Sequence, residues 1–121
     1  MSEKRILYRH KKRLTLKFGA EEPVRVAFTE DISNLGIFIR TTNVLPVGSP
    51  VKVELALSDT SSAVFEGVIR WSKRIPPHLA HLVKKGGMGV LITKFISGED
   101  DYEEVLNEMR MRNIRADHPS V

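Results

Sequence analysis

Residues 51–71 read Val-Lys-Val-Glu-Leu-Ala-Leu-Ser-Asp-Thr-Ser-Ser-Ala-Val-Phe-Glu-Gly-Val-Ile-Arg-Trp. Val51, Val53, Leu55 and Leu57 recur at every second position, the period of a strand with one buried face. The short polar run Ser58 to Ser62 then makes a hairpin connection to a second strand, Val64 to Trp71. An antiparallel pair in the middle of the chain sets the expectation for what flanks it.

Upstream, Leu14 to Phe18 alternates apolar and polar residues, and Gly19 to Pro23 reads as a turn. Val24 to Thr29 alternates again through Val24, Val26 and Phe28. Asp31 to Gly36 interrupts this with turn-forming residues, Ile37 to Ile39 resumes a short strand, and Pro46-Val47-Gly48 marks another turn. Downstream, Ser72 to Gly87 reads as a long loop holding Pro76-Pro77, His78, His81 and Gly86-Gly87, of the kind that is functional or mobile. Met88 to Phe95 closes the strand series. After a capping arrangement at Ser97-x-x-Asp100, Tyr102, Val105, Leu106 and Met109 recur at helical spacing and predict a helix over about 98–113. Early acids suit its positive end, and Arg110, Arg112 and Arg115 its negative end. About six short strands followed by one helix predict an all-β, six-stranded antiparallel barrel with the helix covering an opening or edge.

A chain of 121 residues fits one modest core, and 41% apolar with 28% charged residues is an ordinary globular balance. No apolar run approaches the roughly 20 residues that span a bilayer, so no membrane insertion is expected. Met1 to Arg5 lacks the apolar segment of a secretory signal, and the chain has no cysteine; a cytoplasmic address is the simplest expectation. The net charge of +4 is unevenly spread. Lys4, Arg5, Arg9, Lys11, Lys12, Arg13 and Lys17 crowd the first segment, whereas Glu99, Asp100, Asp101, Glu103, Glu104 and Glu108 crowd the last. Residues 1–13 are expected to be a flexible basic arm on a domain spanning 14–115, and an anionic partner suits that arm. A merely solvated arm, or one paired with the acidic segment, fits the charges equally well.

Two constellations carry chemistry. In Arg9-His10-Lys11-Lys12-Arg13 two guanidinium groups stand four residues apart, each able to clasp a phosphate or a guanine edge by paired hydrogen bonds and to stack on a purine. In Asp31-Ile32-Ser33-Asn34-Leu35-Gly36 a carboxylate and a hydroxyl are two residues apart, while Ile32 is expected to point into the core. The carboxylate can accept from guanine N1–H and N2–H₂, and Gly36 permits a positive φ or a close backbone approach to a ligand. A turn in which Ser33 merely caps a hairpin is the plainer alternative. His78 and His81 lack a nearby carboxylate, so no metal site is expected. Gly86-Gly87-Met88-Gly89 reads as a hairpin turn rather than a phosphate cradle, because no helix or lysine follows in the required place. Ser33 lacks a local base and Asp31 a partner carboxylate, so no enzyme and no cofactor are expected.

Taken together, the order and spacing of these segments resemble the PilZ domain family, whose pattern is R-x-x-x-R, a strand pair, then D/N-x-S-x-x-G. Gly67-Val68-Ile69-Arg70-Trp71 is similar to that family's G-x-V-x-W strand, and Gly87-Met88-Gly89-Val90 to its closing strand. The resemblance spans roughly residues 5–109. It implies a bacterial receptor that binds cyclic di-GMP on a six-stranded barrel, with Arg9 and Arg13 on phosphates and guanine, Asp31 and Ser33 on guanine, and Gly36 shaping the turn. Tyr8 stands where the family's residue influences how ligand packs and how many molecules bind; an aromatic there either stacks on guanine or simply packs on the barrel rim. His10, Lys12 and Asn34 are additional candidate contacts, and Trp71 is either a wall near the bases or a core aromatic. Like charges that repel within the free arm, and that a dianionic ligand would neutralise, predict an ordering of the arm on binding; the single-domain length sets the expectation that the signal passes to a separate, unidentified protein partner, and a ligand-dependent dimer is left open. Two alternatives stand beside it. One is a ligand-independent PilZ-type interaction module. The other is a small nucleic-acid-binding barrel, disfavoured by 7% aromatics and no series of aromatics for stacking bases, so nucleic acid is not an expected partner.

Overall fold

The computed structural model describes residues 10–74, 78 and 86–117, with 113–117 as backbone alone. In chain order the elements are β1 His10–Lys11, β2 Thr15–Gly19, β3 Arg25–Ile32, β4 Gly36–Arg40, β5 Pro50–Ala56, β6 Ser62–Lys73, β7 Gly87–Ser97 and α1 Glu99–Asp117. The sheet order is β1-β3-β2-β5-β6-β7-β4, and β4 returns to pair with β3. Every pairing is antiparallel. Six strands therefore close into a barrel, as the sequence predicts, and β1 is an extra strand laid against β3.

The hairpin read from residues 51–71 is β5–β6, in register at Val53 with Phe65 and Leu55 with Ala63. Its alternation sends Val51, Val53, Leu55, Ala63, Phe65 and Ile69 into the barrel, each no more than 2% exposed. Closure joins them to Leu16 and Phe18 of β2, Ile37 and Ile39 of β4, and Met88 and Val90 of β7. On the outer surface Lys52, Glu66 and Lys94 are successive register partners, an alternation of charge that avoids like-sign neighbours. β6 and β7 are 12 and 11 residues long, and three register shifts between them let the pair bend around the barrel.

β3 departs from the sequence expectation. Its apolar alternation Val24, Val26, Phe28 forms the outer face: Val24 and Val26 are 70% and 68% exposed, and Ala27 and Thr29 point inward. Pairing decides this. Val26 lies opposite the exposed Lys17, and Ala27 opposite the buried Leu16. Gly87 to Gly89, expected as a turn, lie inside β7. A Cβ on Gly89 would stand 2.4 Å from Nε1 of Trp71, whose indole covers that position. Of the long loop expected at 72–87, β6 takes the first residues through Lys73; 75–77 and 79–85, with Pro76, Pro77 and His81, lie outside the described residues.

Gly98, with φ of 80°, turns the chain sharply from β7 into α1. Tyr102, Leu106 and Met109 form the buried face of the helix. Tyr102 meets Phe65 and Phe95 at centroid distances of 6.3 and 5.5 Å. The helix continues past Asn113 to Asp117 because Ile114, Arg115 and Ala116 tolerate helix and no proline intervenes before Pro119. Among the described residues no helix is long and apolar enough to cross a membrane.

The Tyr102 hydroxyl donates to the Ser33 carbonyl at 2.6 Å, tying the helix to the β3–β4 turn in a buried setting. Tyr102→Phe leaves that carbonyl without its donor and should lower the unfolding free energy by about 1–2 kcal/mol. Urea denaturation with an unchanged m-value checks this; a variant as stable as the parent would mean that the contact contributes nothing.

Candidate functional site

The site is built on an irregularity in β3. Thr29 pairs with Ile39 and Asp31 with Phe38, so Glu30 is the extra residue of a β-bulge. Residues 29 and 31 of a regular strand would share a face. The bulge breaks that rule. Thr29 stays inside at 1% exposure, while Asp31 is half-buried beside Phe38, and Ile32 returns to the core at 0%.

The inward threonine then holds the basic segment. Its hydroxyl donates to the Lys12 carbonyl at 2.5 Å and accepts from the Leu14 N–H at 2.9 Å, and its own N–H donates to the Leu14 carbonyl at 2.9 Å. Lys12 N–H in turn donates to the carbonyl of the bulged Glu30 at 3.1 Å. β1 continues this contact, with His10 opposite Ile32 and Lys11 opposite Asp31. The last residues of the basic segment thus run alongside the Asp31 turn. Arg9 and Tyr8 lie outside the described residues.

Arg13 is exposed and lies with its Cζ 3.8 Å from the centroid of the Phe28 ring. Nearby, Arg40 bonds Glu30 at 2.5 Å, giving the bulged acid its own cation. His10 is only 4% exposed. Burial holds its pKa below the ordinary 6.5, and the neighbouring cation Arg110 of α1 lowers it further. The helix packs against β1 as well as against β6.

Ser33 behaves as the plainer alternative foresaw. It is 2% exposed, and its hydroxyl donates to the Gly36 carbonyl while accepting from the N–H groups of Leu35 and Gly36. The hydroxyl closes the turn, and Asn34 and Leu35 form its exposed tip. Gly36 has no positive φ. A Cβ there would come within 2.0 Å of the Val90 carbonyl, so the close approach that requires glycine is to β7.

Trp71 is not a core residue. It is 47% exposed and stacks on Phe38, with centroids 5.0 Å apart and planes 13° from parallel. Successive register partners run Lys11, Asp31, Phe38, Gly89, Trp71 across five strands. One outer row therefore carries a cation, a carboxylate and two stacked rings. Among the described residues no cluster of His, Asp and Glu is arranged to hold a metal ion.

Neither Thr29 nor Phe28 was singled out from the sequence. A threonine and a phenylalanine in a strand carry no signal of their own; only the bulge and the register assign them these contacts.

The family model described as the PilZ domain matches residues 1–107. No curated protein matches the chain. Among solved structures, the fold is similar to that of the Bacillus subtilis inhibitor of motility MotI/DgrA, with a TM-score of 0.71 at 17% identity. The similarity covers 97% of this chain and 55% of that one, so this chain spans about half the length of that neighbour.

Two outcomes follow from this geometry. Thr29→Val keeps the shape of the side chain but removes the hydroxyl that holds Lys12 and Leu14. Amide exchange at Leu14 should accelerate by roughly five- to tenfold, about 1 kcal/mol of local opening. Unchanged protection would show that the hydroxyl is not what holds the segment. For His10, the unfolded chain takes up a proton near pH 6.5 that the folded site resists. The unfolded state then binds more protons, so stability contributed by neutral His10 is present above about 6.5 and lost as pH falls below it. Denaturation of the parent and of His10→Gln at about pH 7.5 and about pH 5.5 checks the sign: the parent should lose more stability on acidification than the variant.

Proposed function

The chain belongs to the PilZ domain family, and on that premise we propose that it is a bacterial cyclic di-GMP receptor. The observation that carries the reading is the pairing of Lys11 with Asp31, which lays the basic segment beside the one exposed-side carboxylate of the turn. A cyclic dinucleotide presents two phosphate charges and two guanine edges, and the two halves of this surface complement them in kind. Arg9 and Arg13 clasp phosphates and the guanine O6/N7 edge. Asp31 accepts from guanine N1–H and N2–H₂.

The other residues take supporting or secondary roles. Ser33 and Gly36 act by holding the turn that presents Asp31, since the Ser33 hydroxyl is buried and engaged within the turn. Asn34 at the exposed tip, with Lys12 and Tyr8 of the basic segment, supplies secondary contacts, whereas His10, only 4% exposed, takes a packing role. Trp71, resting on Phe38 in the same outer row as Asp31, offers an aromatic wall near a base.

Ligand bound between arm and turn neutralises the repulsion among the cations and orders residues ahead of β1 against the barrel. Two contacts connect that event to α1: the Tyr102 bond to the Ser33 carbonyl and the seating of α1 on β1. The changed surface passes the signal to a protein partner, with or without dimerisation of the receptor.

The alternative of a ligand-independent interaction module has one observation on its side, the burial of the Ser33 hydroxyl. Calorimetric titration with cyclic di-GMP separates the two. Binding at tens of micromolar or tighter supports the receptor, and its absence there supports the module. Arg9→Ala, Arg13→Ala and Asp31→Ala should each weaken binding by roughly ten- to a hundredfold while the barrel stays folded. Normal binding by all three variants would remove this assignment of the site.

A further inference from the structure

Arg13, exposed on the outer surface, is held by an aromatic ring. Its guanidinium lies over the Phe28 ring at 3.8 Å. The nearby Glu30 is engaged by Arg40, which is itself the register partner of Phe28. Among the described residues no carboxylate pairs with Arg13. The cation is thus placed by a neutral ring. An aromatic face attracts a guanidinium without consuming any of its N–H donors. A carboxylate in the same place would occupy two of them and would have to be displaced by an incoming anion.

We infer that Phe28 is a positioning residue for ligand recognition, holding one face of the Arg13 guanidinium so that its N–H edge remains available to an anionic phosphate. The inference rests on the cyclic di-GMP reading and assigns that site a residue outside its signature segments. The half-buried ring is fixed on β3 between Thr15 of β2 and Arg40 of β4, so it offers Arg13 a rigid support. Two residues away from Asp31's bulge neighbour, it couples the two halves of the site through one strand. Ordering a long side chain before binding lowers the entropy lost on binding, which is where the affinity arises.

A double-mutant cycle with two supporting readouts tests this. Phe28→Leu removes the π face and keeps an apolar side chain, and Phe28→Tyr keeps the face. Affinity for cyclic di-GMP should fall roughly three- to tenfold in Phe28→Leu and stay within about twofold in Phe28→Tyr. In the Arg13→Ala background, Phe28→Leu should cause no further loss. In the ligand-free protein, the Arg13 Nε–H resonance should carry a ring-current shift that Phe28→Leu abolishes and Phe28→Tyr retains. Equal affinity of Phe28→Leu and the parent, an undiminished loss without Arg13, or an Arg13 resonance unmoved by Phe28→Leu would each overturn the inference. If the unaltered chain fails to bind cyclic di-GMP, the receptor reading falls with it. If the chain binds and only the Phe28 comparison fails, the receptor reading stands.

Discussion

The arrangement depends on what the β-bulge at Glu30 does to β3. A regular strand would place residues 29 and 31 on the same face, so a buried threonine would bring a buried aspartate with it. Burying that carboxylate would cost several kcal/mol unless a cation followed it inside. One extra residue resolves the conflict. Thr29 stays inside to hold Lys12 and Leu14, Asp31 sits on the outer side, and Ile32 still fills the core. The bulged residue is not idle either: its carbonyl accepts from Lys12 and its carboxylate from Arg40.

That single irregularity also explains why the basic segment has a defined path. Residues 10–19 behave as one long strand along β3, broken over 12–14 where the bulge faces it. At the break, backbone groups that a regular ladder would have paired are satisfied instead by the Thr29 hydroxyl. A buried N–H or carbonyl left unpaired is costly, so the hydroxyl is needed wherever the ladder is interrupted. The cost of breaking the strand is thereby kept small, and the chain emerges from the break with Arg13 on the outer surface over Phe28.

What the sequence made legible follows from these same constraints. The β5–β6 hairpin was readable because both of its strands have one apolar and one polar face, and the helix because Tyr102, Leu106 and Met109 repeat at its period. The faces of β3 were not. Val24, Val26 and Phe28 look like a buried face, and nothing local reveals that pairing with Lys17 turns them outward. Arg13 and Asp31 were legible as chemistry, and β1 brings their segments together. Ser33 and Gly36 were legible as positions but not as contacts: a hydroxyl in a turn is equally suited to a ligand or to its own backbone, and only burial decides. Gly36 is required by the Val90 carbonyl, a partner more than fifty residues away that no local pattern encodes.

The turn therefore has a structural claim on Ser33 that competes with any direct claim by a ligand. Its hydroxyl already serves two N–H groups and the Gly36 carbonyl, and its own carbonyl already accepts from Tyr102. For the hydroxyl to reach a ligand, the turn would have to give up bonds inside a site that excludes water, each worth about 1 kcal/mol. Asp31 is presented differently, because the bulge places it on the outer side of β3, one residue before the end of the strand. In the proposed receptor, recognition divides between supports and the groups that they present. The turn and Phe28 are the supports, and Asp31 and Arg13 are the groups they present. Besides its seat on β6, α1 meets the Ser33 carbonyl and β1, so the helix adjoins the supports of the proposed site rather than the groups that they present.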